Sequence, residues 1–259
     1  MAHNDYSKQL HKLIEIQGSV KEIHPVLEDF YPVTLVEDNK FYIYDISKDH
    51  QKYEYVKSEP CPFPIPEGVR AAFPLEFYGN NMSAVVTSDV FESIQGYLTI
   101  LHEFVHCAQG LSCENELKNQ LNIAREYLKK NDYMWELNHP FPYDDQEFVR
   151  YYSLYMESLE ACDYNNVIKL RKQFKGILRN EDLEYLLWQE WKEGFARYIE
   201  NRINSKLGLP ENHYGNQAPF DRVSFYESGS RFISLLEQKD TNIIKDIKGL
   251  FHEVKGSLL

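Results

Sequence analysis

At 259 residues, 43% apolar and 26% charged, the chain is long enough to bury a core without staples and too apolar to be intrinsically disordered. Its 12 glycines and 11 prolines exclude collagenous or low-complexity material, and no run approaches the roughly 18 apolar residues of a membrane span. A formal charge of −12 opposes binding to nucleic-acid phosphate.

Met1 to Lys8 lacks an apolar stretch behind a basic start, so a cytoplasmic protein without a secretory signal is expected, with neither membrane nor nucleic acid as partner. Aromatic and β-branched residues predict strands at 40–46, 51–56 and 83–87. The last is placed either as an ordinary core strand or as a sheet edge against which an extended peptide could pair. Pro60, Pro62, Pro64 and Pro66 force an extended connection between them.

From Asp89 the period becomes helical, with Glu92 completing a capping box and Ile94, Leu98, Leu101, Val105 and Ala108 forming a buried stripe that ends at Gly110. Further helices are expected near 113–130, 145–177, 181–207, 222–238 and 241–254. The basic run Lys169 to Lys175 reads as a solvated helix face. Cys61, Cys107, Cys113 and Cys162 include no C-x-x-C pair and are expected reduced and buried as small apolar residues. Strands first and helices after predict an α+β fold: one domain over 1–259, with a strand-rich part at 1–88 and a helical part at 89–259.

The first long helix carries His102-Glu103-Phe104-Val105-His106. Residues four apart share a helical face, so both imidazoles reach one ion while Glu103, about 100° round, addresses a ligand on that ion. With 9 His and 26 Glu in the chain, this pattern arises about 0.03 times by chance. The flanking Thr99, Ile100, Leu101, Phe104, Val105, Cys107 and Ala108 are uncharged, as a helix buried beneath an active site requires. Catalytic zinc takes three protein ligands and an open position for water. Glu193 is the candidate third ligand, beside Gly194 and Ala196, whose small size would let the two zinc helices approach. Glu114, Glu116, Glu157, Glu160 and His139 are its rivals.

The set HEFVH at 102–106, EGFARY at 193–198 and YESG at 226–229 resembles the gluzincin metallopeptidases of the HExxH…E clan, and in its last element the catalytic domain of the aminopeptidase N family. The resemblance covers roughly 85–237, in islands. It implies a zincin-like fold and one Zn²⁺ ion held by His102, His106 and Glu193, with Glu103 as general base and Tyr226 steadying the oxyanion. Two departures stand out. The 86 residues between His106 and Glu193 make the helices at about 113–177 an insertion relative to that family, and Gly79-Asn80-Asn81-Met82-Ser83 lacks the carboxylate with which the family reads a substrate's α-amine. The expectation is a zinc metallopeptidase that cleaves peptide or protein substrates by activating water. Its alternatives are a catalytically silent binding module and a zinc hydrolase acting on a non-peptide substrate.

Overall fold

The computed structural model describes residues 5–62 and 64–258. Its elements in chain order are α1 (Ser7–Val20), β1 (Val33–Glu37), β2 (Lys40–Ile46), β3 (Tyr53–Pro60), β4 (Arg70–Leu75), β5 (Asn81–Thr87), α2 (Ile94–Ser112), α3 (Glu114–Lys118), α4 (Asn122–Lys129), α5 (Trp135–Asn138), α6 (Gln146–Glu160), α7 (Tyr164–Ile177), α8 (Asn180–Lys206), α9 (Arg222–Glu237) and α10 (Ile247–Gly256). The architecture is α+β. Among the described residues no helix is long and apolar enough to cross a membrane. The chain divides into two compact units, residues 1–111 with 202–210 and residues 112–201 with 211–259.

The first unit is built on a five-stranded mixed sheet of order β3-β2-β1-β5-β4. β1 pairs antiparallel with β2 and parallel with β5, while β3 and β4 pair antiparallel at the edges. Val33, Thr34 and Leu35 of β1 and Ser83 to Val86 of β5 are buried on both faces, as central strands covered on each side must be. Their only buried hydroxyls satisfy each other: Thr34 Oγ1 and Ser83 Oγ are 2.8 Å apart, and Ser83 also donates to Pro32 O at 2.9 Å. Residues 83–87 are therefore an interior strand, and the sheet-edge reading of that segment is wrong. The edge strands are β3 and β4; β4 is absent from the sequence reading, along with α1 and β1.

α2 starts later than the spacing suggested. Asp89 does not cap it but lies in a one-turn 3₁₀ segment, Ser88–Glu92, bonded to Thr87 Oγ1 and Arg70. Ser93 Oγ instead accepts from Gly96 N at 3.1 Å, in the manner of an N-cap. The helix also runs through Gly110 to Ser112, because Gly110 makes room for a side chain rather than a turn. A Cβ there would lie 2.8 Å from Met82 Cε.

The second unit is helical, and two of its expected helices are broken. The segment 113–130 forms α3 and α4, and 145–177 forms α6 and α7 around Cys162, which sits in the left-handed region at φ 53°. Asp163 then caps α7 by accepting from Asn166 N. Cys162 is consequently exposed and Cys61 half-buried; Cys107 and Cys113 are buried, and all four are free thiols.

The core of this unit holds one fully buried ion pair. Arg171 Nη1 meets Glu190 Oε2 at 2.6 Å, with both side chains at 0% exposure. Tyr155 and Ser228 hydroxyls donate to Glu190 Oε1 at 2.9 and 2.8 Å, while Arg171 also reaches Ser257 Oγ at 2.7 Å and Val254 O at 3.2 Å. The basic run around Arg171 is thus not wholly a solvated face: this guanidinium ties α7, α8, α9 and α10 together. A second cluster, Lys192 and Lys118 with Glu114 and Glu136, joins α3 and α5 to α8 at 2.6–3.1 Å.

Candidate metal centre

Helix α2 brings two imidazoles to one point. Both lie on one face as residues four apart, with ring centroids 4.9 Å apart, and their Nε2 atoms are 3.2 Å apart. Two nitrogens each about 2.0–2.1 Å from a tetrahedral zinc stand about 3.3 Å from one another, so the spacing suits one shared ion. The tautomer suits it as well. His106 Nδ1 lies 2.8 Å from Gln109 Oε1. An amide oxygen only accepts, so Nδ1 carries the proton and Nε2 of the neutral ring presents its lone pair. Gln109 is wholly buried and supplies the outer support that ligating histidines ordinarily have.

Gln109 escaped the sequence reading because a neutral amide beside apolar residues gives no charge signal; only its position three residues after His106 marks it. Replacing it with Leu should keep the helix and lower zinc affinity about 10–100-fold. Competition titration against a fluorescent chelator measures this, and an unchanged affinity would reduce Gln109 to packing. Glu103, next to His102, is buried at 5% exposure.

Glu193 lies on α8, where helices α8 and α9 touch backbone to backbone. A Cβ on Gly194 would lie 2.6 Å from Gly229 Cα, and one on Gly229 would lie 2.3 Å from Glu190 O. A close backbone approach does occur at Gly194, and its nearest atoms belong to Gly229 and Ser230 of α9. This contact accounts for the glycines of both the EGFARY and YESG segments, and it sets Tyr226, one turn before Gly229, beside Glu193. The Tyr226 hydroxyl is close enough to Glu193 to feel the charge of its carboxylate. Burial, and next the Glu193 charge, push the Tyr226 pKa well up, which favours the neutral phenol.

Among the described residues, His102, His106 and Glu193 form a group able to hold a metal ion, with one ligand atom from each lying within 4.8 Å of the others. The rival ligands are engaged elsewhere. Glu114 pairs with Lys192 and Lys118, and Glu116 with Lys248. His139 sits between Asp182 Oδ1 at 2.8 Å and the Tyr127 hydroxyl at 3.1 Å. Glu157 and Glu160 line a cavity of about 250 Å³ with Arg231 and Phe220. No family model matches the chain, and the comparisons with curated proteins and with solved structures returned no match.

Proposed function

We propose that this protein is a zinc-dependent hydrolase of peptide bonds with a zincin-like fold, in which His102, His106 and Glu193 hold one Zn²⁺ ion. The observation that carries the reading is the 3.2 Å separation of the two Nε2 atoms, close to the value a shared tetrahedral ion requires. The fixed His106 tautomer and the grouping with Glu193 support it. A soft or borderline cation such as zinc suits two imidazoles and one carboxylate, whereas magnesium and calcium favour sets of oxygen ligands.

A zinc ion held by these residues would act as a Lewis acid, bringing the pKa of a water down into the neutral range. The residues of the chain do the rest. Glu103, placed one position after His102, takes the proton of the attacking water and delivers it to the departing amine. Tyr226 remains a neutral phenol and directs its proton to the oxygen that gains charge, a contact of the kind whose loss costs about 10²–10³ in rate. No covalent intermediate is needed.

The test is a mass-spectrometric digest of a broad peptide library by the zinc-loaded protein, with and without chelator. New cleavage products that vanish on chelation and return with zinc are expected. A library left intact by fully zinc-loaded protein would overturn the peptidase reading.

A further inference from the structure

Two guanidinium groups stand over the ring of Tyr226, whose hydroxyl feels the Glu193 charge. Arg222 lies 5.3 Å and Arg197 5.8 Å from the ring centroid. They differ in what else they do. Arg197, 6% exposed, gives Nη1 to the Asn212 and Tyr214 carbonyls at 3.3 and 3.4 Å and lies 3.6 Å from Glu200 Oε2. Its Nε is buried and makes no hydrogen bond. Arg222 makes no hydrogen bond or ion pair among the described residues, although it is half-buried. Its charge is felt at Tyr143 and Tyr185 as well as at Tyr226.

This is unusual for the molecule. With 40 acidic against 28 basic residues, carboxylates are in excess, and the other guanidiniums around the same helices have found them: Arg171 with Glu190, Arg179 with Asp182 and Arg231 with Glu227. Tyr226 feels the charge of Glu193, and metal binding would use that charge. Arg197 has Glu200 beside it at 3.6 Å, whereas Arg222 has no carboxylate partner among the described residues and keeps all five of its donors uncommitted. A planar fork of this kind matches a carboxylate in bidentate fashion.

We propose that Arg222 binds a carboxylate of the substrate, so that the preferred substrates are peptides with an anionic group close to the reacting bond; the inference rests on the hydrolase reading above. The chemistry is shared by two sources, a peptide's free C-terminus and an Asp or Glu side chain. Arg197, held by the 212–214 carbonyls, positions the site and adds positive charge to it.

The experiment uses the whole chain and two matched series. One pairs short N-acetylated peptides ending in a free acid with the same peptides ending in an amide; the other pairs Asp- or Glu-containing peptides with their Asn or Gln counterparts. Calorimetric binding to the zinc-free protein is measured alongside KM and kcat of the zinc-loaded protein. At least one series should favour the acid by about 10–100-fold, the span expected of a charge-assisted hydrogen-bonded pair. Arg222→Gln should remove that preference through KM without altering zinc content or the affinity for the neutral member, and Arg222→Lys should restore part of it. Equal binding of acid and neutral members in both series by wild-type protein overturns the proposal, as does a preference that survives in Arg222→Gln. Selective acid binding without any cleavage would support the carboxylate site while overturning the peptidase reading, so the two fail separately.

Discussion

Glu103→Gln should leave one zinc ion per chain in place and lower kcat by about 10²–10⁴-fold, the range that general acid–base catalysis ordinarily supplies. The substitution is nearly isosteric. Glu103 is buried on the helix that carries both histidines, so the amide keeps the packing but cannot take up a proton. It is not one of the three grouped donors, so metal content should not change. Zinc analysis and steady-state kinetics on a peptide identified in the library digest check the two halves together. Loss of the metal would make Glu103 part of the ligand set, and undiminished turnover would remove it from the chemistry.

Arg171→Met should destabilise the helical unit by about 3–5 kcal/mol, because it strands the Glu190 carboxylate at 0% exposure without its counter-charge. The hydroxyls of Tyr155 and Ser228 would remain, but they are aimed at a charge that the interior no longer balances. Replacing both partners, Arg171→Met with Glu190→Leu, should recover most of the loss, since a well-packed apolar pair is often neutral or better. Urea unfolding of the single and double variants measures the coupling. A single variant within about 0.5 kcal/mol of wild type would mean that the pair is not what holds α7 to α8. Glu190 precedes Glu193 by one turn, so the double variant also shows whether this network fixes the proposed ligand: zinc affinity should fall in Arg171→Met and return with stability.

The part of the site that was legible in the sequence is the part written within one helix. His102, Glu103 and His106 lie at spacings that fix their faces before any tertiary contact forms, and α2 carries them as expected. Glu193 was read from the need for a third ligand and its place beside Gly194 and Ala196, and Tyr226 from resemblance; that the two lie near each other depends on the Gly194–Gly229 approach, which no spacing along the chain encodes. Arg171 illustrates the same limit: a basic run looks solvated until its partner, 19 residues on, is packed against it.

In the first unit, β1 was missed because burial on both faces removes the alternation by which strands are read. β4 contains Ala71, Ala72 and Pro74, residues of low strand preference tolerated at a sheet edge. In α1 the buried stripe Leu10, Leu13, Gln17 and Val20 is interrupted by a glutamine. Its amide donates to the Leu27 and Asp29 carbonyls at 3.0 and 2.8 Å, a tertiary reason for a polar residue at an apolar position. The coarse order of strands before helices nonetheless sufficed for the α+β class.

Metal stoichiometry tests the central claim most directly. Purified wild-type protein, Glu103→Gln, His106→Ala and Glu193→Ala, equilibrated with zinc and freed of excess, can be compared by inductively coupled plasma mass spectrometry. The expected result is one zinc per chain in the first two and little or none in the last two, with all four folded by circular dichroism. Full zinc occupancy in Glu193→Ala, or no zinc in folded wild-type protein, would contradict a metal centre made by these three residues.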